Sequence, residues 1–352
     1  MSERYQAFEI LILRRMDGVY PLRAKGSGDT TYGGAMTAGV VDSLDADHWL
    51  EQALREPATM CELGGRLFGA LFKQEILEGF RSELAAARAL GLGLRLVLTV
   101  EPPELALLPW ELLYDEGAEG FLARSAATPI VRHLSTRRSV RPPIQGNALR
   151  VLIALAEPKR LPPLGANYQE VHSIAQALSR GQIEVDVAPT LLLDRIGRGV
   201  RGVGAALRAL FVGRGRVRVK LVEHATRSKL KNTLREAERA GQSYHIVHFI
   251  GHGASNESGG YLILEAKDGT PDPVPAEQVA ELLDGTGVNM VFLNACASAR
   301  EGEAGPDFYP FRGVAQACIN LGIRAALAMQ VDIVDRVAGE YAYEFYSSLA
   351  DG

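Results

Sequence analysis

Two short apolar runs each end in a residue able to do chemistry. Residues 244–253 read YHIVHFIGHG and deliver His252, and residues 288–299 read VNMVFLNACASA and deliver Cys296. A thiol becomes a nucleophile only as the thiolate, and an imidazole with a pKa around 6.5 is a suitable base to take its proton. Gly253 follows the histidine, and a glycine lets its backbone N–H approach a bound group closely. With the N–H of Cys296 it makes a pair of donors for the oxyanion of a tetrahedral intermediate. The chemistry these residues suit is acyl transfer through a covalent thioester.

Positioning them requires a particular kind of sheet. Both runs are rich in β-branched and aromatic residues and finish in small ones, which predicts two buried parallel strands opening at their carboxyl ends, where reactive groups collect in open α/β sheets. After Ala148 the pattern alternates between strand and helix: strands at 149–156, 183–187, 217–222, 244–250 and 325–330, helices at 168–178, 203–212, 229–240, 311–321 and 337–349. Thr226 is a candidate N-cap and Pro275 a helix start stopped by Gly285. A small hairpin is expected around 261–264 with its turn at Asp268 and Gly269, and the acidic stretch 301–307 reads as a loop directly after the thiol. Ahead of this half, 5–13 and 19–23 predict a hairpin, the glycine-bearing 26–34 a loop, 46–71 and on to Leu92 helices broken at Pro57, and 94–100 and 129–133 strands. The polar, basic, proline-bearing segment 135–147 is the best linker, dividing the chain into an N-terminal region 1–140 and a second domain 148–352.

The segments HFIGHG and NACAS, in this order and at this separation, resemble the CHAT domain, a caspase-like group of cysteine peptidases related to separase. The resemblance implies that His252 is the catalytic histidine and Cys296 the nucleophile. It implies an α/β fold with a caspase-like, mostly parallel sheet flanked by helices, preceded by a degenerate, non-catalytic caspase-like or α+β half to which the LPWE segment at 108–111 belongs. Such peptidases are typically regulated, in bacteria often within defence or programmed-death systems. The expected partners are therefore a dedicated protein substrate and an activator or fused sensor domain. CHAT sequences usually carry a further helix beyond the point matching Gly352, so a continuation there is also expected. In this clan the position two before the nucleophile lines the pocket for the substrate residue ahead of the cleaved bond, which assigns Asn294 to the pocket. Asp332 is the nearest acid able to reach it, with Asp335 behind. An uncharged Asn in a pocket with no fixed carboxylate predicts preference for a neutral substrate residue, because a lone buried cation is costly.

Composition narrows the alternatives. The 352 residues are 47% hydrophobic with a formal net charge of -4, which suits a globular protein of about two domains and argues against a nucleic-acid binder. The basic, glycine-rich stretch 195–220 offers a single aromatic, Phe211, for base stacking, so nucleic acid or nucleotide enters only indirectly. Three cysteines, no basic and apolar leader after Met1, and no charge-free run reaching the ~18 residues of a membrane span predict a cytoplasmic protein without disulfides and without membrane contact. Trp110 reads as a core aromatic, and Cys61 and Cys318 as packing thiols. No cofactor is expected. No metal is expected either, since His245 and His248 fall on opposite faces of one strand and cannot share an ion with His252 and Cys296. Two other functions fit the same residues: a silent caspase-like scaffold that binds partners, and a hydrolase or acyltransferase for non-peptide esters or thioesters.

Overall fold

The computed structural model describes residues 5–39, 56–106, 108–118, 120–134, 139, 149–164, 167–179, 217–256, 259–296, 310–329 and 335–351. The chain divides into two compact units, Met1–Ser135 and Thr136–Gly352.

The first unit is built on a five-stranded sheet ordered β3 (Thr31–Thr37), β2 (Val19–Lys25), β1 (Tyr5–Ile12), β4 (Gly93–Val100) and β7 (Ile130–His133). β1 (Tyr5–Ile12) and β2 (Val19–Lys25) form the predicted hairpin, turning at Gly18 with φ of 80°. Beyond β2 the chain differs from the expected loop, because β3 (Thr31–Thr37) pairs antiparallel with β2 over its whole length. The glycines there mark close packing. A Cβ on Gly34 would stand 2.8 Å from Ile76, and one on Gly79 would stand 2.6 Å from the Tyr32 ring.

Two helices, α1 (Pro57–Leu71) and α2 (Gln74–Ala89), supply that packing, and Pro57 opens α1, where its missing N–H costs nothing. β4 (Gly93–Val100) then runs parallel to β1. Its Leu94, Leu96 and Leu98 alternate onto the face that buries Phe8, Ile10, Leu67, Leu71 and Phe80. The short helix α3 (Pro103–Ala106), the two-residue strands β5 (Tyr114–Asp115) and β6 (Gly120–Phe121), and the edge strand β7 (Ile130–His133), parallel to β4, complete the unit. Arg132 on β7 grips both Glu111 oxygens at 2.7 and 2.6 Å and donates to the Ala106 and Leu108 carbonyls. The Trp110 indole N–H donates to the Leu105 carbonyl at 2.8 Å. The LPWE segment is thus a clasp in the core of this unit.

The second unit is a three-layer α/β structure. β8 (Leu149–Leu155), β9 (Val217–Val222), β10 (Ile246–Asn256), β13 (Met290–Cys296) and β14 (Ala325–Ala328) run parallel in the order β9-β8-β10-β13-β14. β11 (Gly259–Glu265) and β12 (Pro271–Pro275) join as an antiparallel hairpin. β10 runs further than the sequence predicts. Its first half, up to Ile250, pairs with β8, and from His252 to Asn256 β11 takes over that edge. The histidine therefore sits inside a strand rather than in a loop. Helices α4 (Asn167–Ser179) and α8 (Asp335–Asp351) cover one face, over Val151, Ile153, Ile246 and Ile250. α5 (Arg227–Arg239), α6 (Ala276–Leu283) and α7 (Pro310–Asn320) belong to the other, with Leu152, Phe249, Val291 and Leu293. Thr226 caps α5 by accepting the Lys229 N–H at 3.1 Å. The strand at 183–187, the helix at 203–212, the loop at 301–307 and most of the basic stretch lie outside the described residues.

His245, just before β10, carries a pH dependence. Its Nδ1 accepts the Arg150 N–H at 2.9 Å, so that nitrogen must stay unprotonated. Burial, and secondarily the Arg150 charge, lower its pKa below 6.5. On acidification the unfolded chain then takes up this proton first, so stability is lost as pH falls from about 6.5 toward the folded value. The melting temperature is expected to drop between pH 7.5 and pH 5.5, and His245→Asn, which keeps an acceptor but cannot titrate, to flatten that part of the profile. An unchanged slope in the variant would remove His245 from this account.

Candidate active site

In the register of the two central strands, His252 on β10 stands opposite Cys296, the last residue of β13. Neighbouring strands lie ~4.8 Å apart, so the two backbones are as close as a sheet allows, at the carboxyl end of the parallel array. Pairing runs without interruption from Ile246 opposite Met290 to this position. Register thus brings together two residues 44 positions apart. His252 is fully buried. Gly253 is buried as well and stands opposite Leu262 of β11.

Gly251, between Ile250 and His252, is dictated by packing. A Cβ there would lie 2.5 Å from the Phe249 ring, which is itself buried, and 3.2 Å from the Ala156 carbonyl. The HFIGHG run is therefore a strand whose phenylalanine folds along its own backbone, and a side chain at 251 would push on the residue before His252.

Beneath the pair lies a buried polar cluster. Asn294, two residues before Cys296, is 3% exposed and donates its amide to Oε1 of Glu170 on α4 at 2.5 Å. The same oxygen meets His248 Nε2 at 2.9 Å, and His248 Nδ1 meets the Tyr346 hydroxyl of α8 at 3.1 Å. The His248 ring is stacked on Phe292, with centroids 4.1 Å apart and planes 12° apart. These contacts are met with Nε2–H donating to Glu170 and the Tyr346 O–H donating to Nδ1. Burial, and secondarily the Glu170 charge, hold the Tyr346 phenol well above its usual pKa, which keeps that proton in place.

The assigned residues are placed unevenly. His252, Gly253, Asn294 and Cys296 gather on two adjacent strands, while Asp332 lies outside the described residues. His245 and His248 are held by different partners, and among the described residues no group of three or more His, Cys, Asp or Glu is arranged to hold a metal. Sequence reasoning missed Glu170. The signal was available: Glu170 lies four residues before Ile174, on the apolar stripe of α4, where a charge is out of place.

A doubly covered, mostly parallel sheet with histidine and cysteine in register at its carboxyl edge defines a caspase-like α/β arrangement. Residues 62–352 match the CHAT domain, and the chain belongs to the CHAT family. Membership carries a caspase-like, cysteine-peptidase type of function at the level of the family. No curated protein matches the chain. Among the described residues no helix is long and apolar enough to cross a membrane.

Proposed function

We propose that this protein is a regulated cysteine endopeptidase acting on a dedicated protein partner, in a bacterial defence or programmed-death setting, with Cys296 as nucleophile and His252 as base. The observation that carries the reading is the register of His252 opposite Cys296, where the parallel pairing of β10 with β13 ends. In the proposed reaction His252 accepts the thiol proton and the sulfur forms a bond to the peptide carbonyl carbon. The amides of Gly253 and Cys296 hold the oxyanion. Collapse of the tetrahedral intermediate breaks the C–N bond as the proton passes to the leaving amine. Water, deprotonated by His252, then attacks the thioester, releasing the carboxylate product and the thiol.

Regulation is supported by burial. A histidine with no exposed surface meets no substrate until whatever covers it moves, so the chain alone is expected to be nearly inactive. Identification of new protein N-termini after incubation with the products of neighbouring genes tests this, with Cys296→Ala as control. Cleavage that needs both Cys296 and a second component is the expected result. Cleavage independent of Cys296 would refute the peptidase assignment, and broad cleavage by the chain alone would refute its regulation.

A further inference from the structure

Three buried polar side chains from three elements meet at one oxygen. Glu170 lies in the first turn of α4 and is 4% exposed, Asn294 of β13 is 3% exposed, and His248 of β10 is fully buried. Asn294 Nδ2 and His248 Nε2 both bond to Oε1 of Glu170, so a single carboxylate joins the two central strands to each other and to a helix that covers them. Hydrogen bonds to a carboxylate are stronger than those of a backbone ladder, and a buried polar network whose members are satisfied stiffens what it joins.

Each tied residue stands a short way before a reactive one. Asn294 precedes Cys296 by two residues and His248 precedes His252 by four, about 7 and about 13 Å along their strands at ~3.3 Å per residue. The parallel pairing of β10 with β13 ends at His252 and Cys296, and the end of a ladder opens more readily than its middle. Nucleophile and base must nevertheless keep hydrogen-bond reach, since a displacement of about 1 Å can cost on the order of 100-fold in rate. We infer that Glu170 is a positioning residue: through Asn294 and His248 it fixes the ends of β13 and β10, and with them the alignment of Cys296 with His252. In this role the carboxylate touches neither substrate nor reacting atoms. The inference rests on the peptidase reading and adds to it a residue that folding brings from 124 positions before Asn294.

The test compares the full-length wild type with Glu170→Ala, Glu170→Gln and His252→Ala, each at a temperature at which its own melting curve shows it folded. Gln keeps an Oε1 acceptor for Asn294 and His248, and Ala keeps none. The rate of Cys296 alkylation by iodoacetamide is followed across pH by mass spectrometry. An imidazole aligned with the thiol sets the midpoint of that profile below the ~8.5 of an isolated thiol. Glu170→Ala is expected to move the midpoint up toward ~8.5 and to slow alkylation at pH 7 roughly 10-fold, while Glu170→Gln stays at or below the wild-type midpoint. Loss of the carboxylate charge by itself acts the other way, lowering a thiol's pKa, so an upward shift reports geometry. An unmoved midpoint in folded Glu170→Ala, or an equal upward shift in Glu170→Gln, would overturn the assignment. A wild-type midpoint no lower than that of His252→Ala would instead overturn the pair itself, and the positioning role with it. Should Glu170→Ala not fold, Asn294→Ala, which cuts only the arm to β13, takes its place with the same expected upward shift. A second measurement needs no accessible thiol: amide hydrogen exchange within 246–256 and 290–296 should be faster in Glu170→Ala than in wild type and Glu170→Gln, with β9 and the first unit unchanged. Equal acceleration throughout the second unit, or none, rejects the role.

Discussion

Cys296→Ala is expected to lower cleavage of the activated enzyme's substrate by roughly 10⁴-fold or more, because no other group in the proposed mechanism forms the thioester. His252→Ala should lose a similar factor, since the thiol then lacks its base and the leaving amine its proton donor. The two losses should not add: the double variant should be no slower than the worse single one, as for residues acting as a unit. The stability cost differs between them. His252 is fully buried inside β10, so its truncation should also cost about 1–3 kcal/mol of folding free energy, and the variant must be assayed where it is still folded. Single-turnover assays of all three proteins, each with a denaturation curve, check the prediction. Near-wild-type turnover in either single variant would dismiss the pair.

The largest effect on stability is expected elsewhere in the chain. Trp110→Ala should destabilise the first unit by about 3–5 kcal/mol, the usual cost of truncating a large aromatic in a core. The side chain is fully buried, and its N–H donates to the Leu105 carbonyl, which would keep only the longer bond from the Leu108 N–H. Urea denaturation followed by far-ultraviolet circular dichroism, a probe that does not depend on the lost indole, measures it. A shift under 1 kcal/mol would mean that the Arg132 clasp holds the segment without the indole.

Much of this architecture can be read from local signals. Alternating leucines announce β4, Thr226 announces the start of α5, and the two apolar runs ending in His252 and Cys296 announce the central strands. The failures have a common cause. At β3, glycine reads as turn chemistry, although Gly34, like Gly79 on the facing helix, is there because helix and strand approach too closely for a Cβ. At β10, the small residues after Ile250 read as the end of a strand, although Gly251 makes room for Phe249 and the strand continues on a new partner. Glu170 was passed over because a carboxylate acquires meaning only from what tertiary folding sets against it. Each miss is a contact between segments far apart in sequence or on different faces, which periodicity within one segment does not encode.

The change of partner along β10 also bears on how the second unit forms. From His252 onward the strand is zipped to β11 by a hairpin whose arms are contiguous in sequence, with Asn256 opposite Gly259. Its first half must wait for β8, where Ile246 meets Val151 across 246 − 151 = 95 positions of chain, and for β13, where Ile246 meets Met290 across 290 − 246 = 44. Closure entropy grows with the length of the loop, and long-range parallel pairing is slow for that reason. The order of assembly that follows places the histidine's end of β10 first, as part of a local meander. The cysteine's strand docks against it later, and β8 arrives last. The nucleophile is therefore kept from its base until the sheet is nearly complete, so a partly folded chain carries a thiol without the means to activate it.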